Sequence, residues 1–173
     1  DASENRLRHM KKLYPSIAGT TRFEDVVESQ NIDAVIVATP VRFHFPMAKA
    51  CLEAGKHVFI EKPLARTVAE CEELMSISEA KGLVLMVGHT FLFSPAVNRM
   101  KEIIEAGDIG KVRYIAAQRL NLGLFQKDIN VAWDLAPHDL WTGALFSQNA
   151  DAPATLITND DSCTVPALKT STS

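Results

Sequence analysis

The chain has 173 residues, 47% of them hydrophobic and 23% charged, with only 8 Gly and 8 Pro, the make-up of an ordinary globular protein rather than a disordered or fibrous one. A net charge of -3 leaves no basic footprint for nucleic acid, and every apolar run is broken by charge short of a membrane span. Cys51, Cys71 and Cys163 are odd in number and lack CxxC or Cys/His spacing, which predicts no metal site and a reducing, cytoplasmic setting with Cys51 and Cys71 as small buried hydrophobes.

In chain order, residues 3 to 13 read as a helix, with Ser3 at the cap, Leu7, Met10 and Leu13 on one face, and Pro15 beyond the end. The opening, DASENRLRHMKK, has neither an apolar signal core nor an initiator Met, so a preceding segment is expected to be missing. TRFEDVVES reads as a short helix. DAVIVATP packs apolar residues without alternation, as a parallel strand covered on both faces requires. A helix over about 45–54 closes at Gly55, and HVFI follows as a second strand. Thr67 and Glu70 form a capping box for a helix that ends at Gly82, and LVLMVG makes a third strand. Strands alternating with helices predict an α/β fold, an incomplete Rossmann-like parallel sheet over residues 1–94.

From Pro95 the texture changes. Val97, Met100, Ile103 and Ile104 line one side of a helix, GDIG turns the chain, and KVRYIAAQRL has the partial alternation of a strand. With a further helix from Pro137, residues 95–146 read as the start of an α+β substrate domain. Residues 147–173 are rich in Ser, Thr, Asn, Asp, Ala and Pro and read as an irregular tail.

Ligands bind at the carboxyl ends of strands in doubly wound sheets. Two such ends carry unusual residues here: Thr39-Pro40, and Glu61-Lys62-Pro63. Thr39 offers a hydroxyl, and Pro63 biases Lys62 toward an extended backbone. A lysine held in such a crevice can serve as general acid or base. In WDLAPHDL, Asp134 and His138 are four apart and share a helical face, so Asp134 can orient the imidazole for proton transfer. The same spacing fits Asp134 as a helix cap and His138 as a surface residue equally well.

The stretch ATPVRFHFPMAKACLEAGKHVFIEKPLA followed by WDLAPHDL resembles the Gfo/Idh/MocA family of nicotinamide-dependent oxidoreductases, over roughly residues 1–146. The resemblance implies hydride transfer between a sugar or nucleotide-sugar hydroxyl carbon and NAD or NADP. Lys62 matches the catalytic lysine, Glu61 the residue beside it near the nicotinamide ribose, and His138 with Asp134 the catalytic pair. Asp1 falls where an acidic residue meets the adenosine ribose, favouring NAD, and Thr39, Pro40 and His44 fall on the cofactor side. His44 as a plain helix-start residue is equally open. Arg119 and Asn121 become candidates for substrate contact, with a solvated strand end as the bland alternative. GHTFLFSPAV and QRLNLG are similar to members acting on nucleotide-linked sugars. His89 reads as a packed hinge residue ahead of one that faces the substrate, His9 and His57 as structural, and Phe91, Phe93, Trp133 and Trp141 as core ahead of sugar platforms.

The family's glycine-rich GxGxxG turn would precede Asp1, and its open sheet would follow the His138 motif. Neither is in this sequence. The chain is therefore expected to be a truncated form of a homo-oligomeric parent, marginally stable and without tight NAD or NADP binding. The rival reading is a catalytically silent Rossmann-like binding or assembly module.

Overall fold

The computed structural model describes residues 1–116 together with 138, 139, 143 and 146. These divide into two units, Asp1–Val87 and a second from Gly88 onward.

The first unit begins with α1 (Glu4–Leu13), whose Ser3 cap accepts the Arg6 N–H, and α2 (Glu24–Val27). Then β1 (Ala34–Val37), α3 (His44–Glu53), β2 (His57–Ile60), α4 (Val68–Lys81) and β3 (Leu85–Val87) alternate. The strands form one parallel sheet in the order β1-β2-β3, with Ala34 opposite His57 and Val58 opposite Leu85. Helical crossovers are what parallel neighbours require. The α4 boundaries follow their sequence signals closely. Thr67 and Glu70 exchange both capping-box bonds, and Gly82 takes the left-handed conformation, φ 63°, that stops a helix cheaply only with glycine.

The core lies on one side of the sheet. Val37, Val58 and Ile60 point toward Ala48, Cys51 and Leu52 of α3 and Leu74 of α4. Ala48 and Cys51 are small enough to bring the helix axis close to the strands. On the other side, among the described residues, Ile36 is 74% exposed, and Val84 and Met86 are exposed too. The apolar run at β1 asks for cover on both faces, and these residues supply it on one.

The opposite, amino end of the sheet is tied by two side chains. Lys56, only 4% exposed, donates from Nζ to the carbonyls of Ser29 at 2.7 Å and Ile32 at 2.8 Å. His57 accepts the Val84 N–H on Nδ1 at 2.9 Å, which fixes the entry to β3. Its structural role thus has a specific bond.

Cys51 is fully buried, and burial pushes its thiol up from the ordinary range, opposed in part by the Lys56 charge. Only the thiolate reacts. Under native conditions an excess of iodoacetamide is expected to leave Cys51 unmodified, with alkylation appearing once denaturant opens the core. Mass spectrometry of the tryptic peptide reads this directly, and rapid native alkylation would contradict the packing.

In the second unit, a 3-10 turn at Thr90–Phe93 leads to α5 (Pro95–Glu105), with Pro95 at a first-turn position where its missing N–H matters least. The strand expected from residue 111 is not formed over 111–116, which are irregular, with Tyr114 84% exposed. Alternation makes a strand only where a neighbour completes the hydrogen-bond ladder, and no described strand pairs with this stretch. The remainder of that stretch and the expected tail lie outside the described residues.

Candidate functional site

The parallel pairing of β1 with β2 ends at Val37 opposite Ile60. The ladder continues one step, because the Glu61 N–H donates to the Val37 carbonyl at 3.0 Å. The segments that follow, Ala38-Thr39-Pro40 and Glu61-Lys62-Pro63, are therefore neighbouring turns at the carboxyl edge of one sheet, where doubly wound folds bind ligands.

Each turn is anchored on its far side. Pro40 opens a 3-10 turn, Val41–Phe43, and its carbonyl accepts the Phe43 N–H at 2.9 Å. The second turn has a cis Lys62–Pro63 peptide and runs into α4, where the Glu70 carboxylate accepts the Arg66 and Thr67 N–H groups at 2.9 and 3.1 Å. Pro63 and Ala65 are buried, Lys62 is half-buried and Glu61 is exposed. The backbone is thus fixed at both ends while the Glu61 carboxylate remains accessible.

Between the turns stands His44, the first residue of α3 and 1% exposed. Its Nδ1 lies 2.8 Å from the Pro63 carbonyl and its Nε2 2.8 Å from the Thr39 carbonyl. The Thr39 side chain differs from its backbone in this respect. Its Oγ1 is buried and has no hydrogen-bond partner. A buried hydroxyl without a partner costs free energy that a bound ligand offering a donor or acceptor would recover.

Asp1 is exposed and precedes α1, where its Oδ1 accepts the Ser3 N–H at 2.8 Å. His138 belongs to the second unit, 9% exposed and helical, with its ring centroid 4.4 Å from that of Phe91. Phe91 and Phe93, expected in the core, are exposed instead. Phe91 beside His138 is a neighbour that sequence distance hides. Asp134, Arg119, Asn121, Trp133 and Trp141 lie outside the described residues.

His89 opens the second unit's 3-10 turn, half-buried, and burial pulls its pKa below the ordinary value of 6.5. The unfolded chain then binds more protons than the folded one below about pH 6.5, so stability is present above that pH and is lost as pH falls. Thermal unfolding followed from about pH 7.5 to about pH 5 is expected to show a smaller loss for His89→Gln than for the parent. Equal losses in the two proteins would contradict this.

A family model described as an oxidoreductase family with an NAD-binding Rossmann fold matches residues 1–89. The chain belongs to the Gfo/Idh/MocA oxidoreductase family. The chain is 31% identical over 152 residues to a 1-carboxy-3-chloro-3,4-dihydroxycyclohexa-1,5-diene dehydrogenase of Comamonas testosteroni, covering 86% of this chain and 36% of the relative. It is 32% identical over 111 residues to a myo-inositol 2-dehydrogenase of Thermotoga maritima, covering 64% of this chain and 33% of that one. A scyllo-inositol dehydrogenase from Lactobacillus casei, solved with NAD(H) and scyllo-inositol, superposes with a TM-score of 0.59 at 28% identity, over 64% of this chain and 33% of its own. This family member thus spans about a third of the length of those relatives.

Proposed function

We propose that this chain carries the nicotinamide-side part of an NAD(P)-dependent dehydrogenase acting on a cyclic polyol, sugar or nucleotide sugar. The observation that carries the reading is the pairing of two anchored turns at one carboxyl sheet edge, one with a buried, unpartnered Thr39 hydroxyl and the other with Lys62. Inositol dehydrogenases among the relatives supply the substrate class.

The residues fit such a cofactor. Thr39 would hold it through the free hydroxyl, the exposed Glu61 through a ribose hydroxyl, and Asp1 through the distant adenosine ribose, the last favouring NAD over NADP. Bound nicotinamide supplies the acceptor for the hydride that leaves the hydroxyl-bearing carbon. The protein's work is proton transfer and alignment. Lys62 takes the hydroxyl proton as that carbon is oxidised and returns it in the reverse direction. In the second unit, His138 is the other proposed proton-transfer group, with Asp134 orienting its ring, and Arg119 and Asn121 are proposed to contact substrate.

The test is an assay for reduced nicotinamide with the protein, offering NAD and NADP in turn with inositols, free sugars and nucleotide sugars. Substrate-dependent reduction of NAD by at least one of them is the expected result. Cofactor binding without reduction of either cofactor would favour a silent binding module instead.

A further inference from the structure

We propose that His44 is the positioning residue of this site, a two-pronged donor that locks the Lys62 turn against the Thr39 turn. The inference rests on the assignment of those turns to the nicotinamide site. A carbonyl oxygen only accepts, so the contacts to Pro63 and Thr39, both 2.8 Å, are satisfied together only when both ring nitrogens carry protons.

The geometry has a direct consequence for the reacting groups. Among the described residues, the sheet ladder holds the turns together as far as the Glu61 N–H. Beyond that step, the Thr39 and Pro63 backbones are joined through the imidazole. Anchoring the Thr39 carbonyl on His44 faces the main chain inward at the residue whose hydroxyl is buried and unpartnered. Anchoring the Pro63 carbonyl fixes the residue next to Lys62. With both ring nitrogens engaged by the backbone, His44 acts through the turns rather than on a ligand. Misplacing a reacting group by about 1 Å can cost on the order of a hundredfold in rate, so the effect of losing this bridge should appear in turnover more than in cofactor affinity.

Two measurements test this. In the 15N-labelled protein, His44 is expected to show two ring N–H signals, both protected from solvent exchange and both lost in His44→Gln. A single ring N–H, or free exchange of both, would overturn the two-donor bridge whatever the protein's activity. In the active enzyme, His44→Gln carries both its N–H donors on one nitrogen and cannot span the two carbonyls as the ring does, and is expected to lower kcat on the order of a hundredfold with cofactor Kd changed only a few-fold and cooperative unfolding retained. A folded His44→Gln enzyme with unchanged kcat, beside a Lys62→Met enzyme that is inactive, would overturn the positioning role and leave the site assignment intact. If Lys62→Met is itself fully active, the site assignment fails instead, and the ring signals still decide the bridge.

Discussion

Replacing Lys62 by Met in the active enzyme is expected to lower turnover on the order of a hundredfold or more, since a positioned general acid-base group typically contributes that much. Met keeps nearly the length of the lysine stem and removes the ammonium. The turn should survive the change, because it is held by the Glu61 N–H to Val37 on one side and by the Glu70 carboxylate on the other. Cofactor affinity should therefore change only a few-fold. Steady-state kinetics with a fluorescence titration of cofactor separates the two effects. Near-normal turnover under conditions where chemistry limits the rate would remove Lys62 from the mechanism.

Lys56→Met is expected to have the larger effect on stability, about 2–4 kcal/mol, from the loss of two charge-assisted bonds and the stranding of their acceptors. The ammonium holds the Ser29 and Ile32 carbonyls at 2.7 and 2.8 Å, so it fixes the approach to β1 from the start of β2. Met fills the same space but donates nothing. Against a total stability of about 5–15 kcal/mol for a typical domain, such a loss is a large fraction. Urea unfolding should show a lower midpoint with an unchanged slope. A midpoint equal to the parent's would mean that solvent satisfies those carbonyls as well as Lys56 does.

Much of the first unit was legible because its signals are local. The Thr67–Glu70 capping box, Gly82 and the apolar run of β2 each fix an element through neighbours a few residues away. The adjacency of the two turns was legible in outline for the same reason, since successive strands joined by a helical crossover commonly pair. What the sequence hid depends on distant partners. His44 meets Pro63, 19 residues on, and Lys56 meets Ser29, 27 residues back; neither separation leaves a periodic trace. In AGKHVF, a lysine between a helix-ending glycine and a strand looks like any solvated charge. The expected strand after residue 111 shows the reverse failure, an alternating pattern without a described neighbour to pair with.

The central claim is that the turns after β1 and β2 hold the nicotinamide end of the cofactor. Amide signals of the 15N-labelled protein, followed as NAD is added to saturation, test it most directly. The largest changes are predicted at Thr39, Val41, Glu61 and Lys62, all at the carboxyl edge of the sheet. Changes gathered instead at the amino edge, around Asp33, Lys56 and Val84, or saturation with those four signals unmoved, would contradict it.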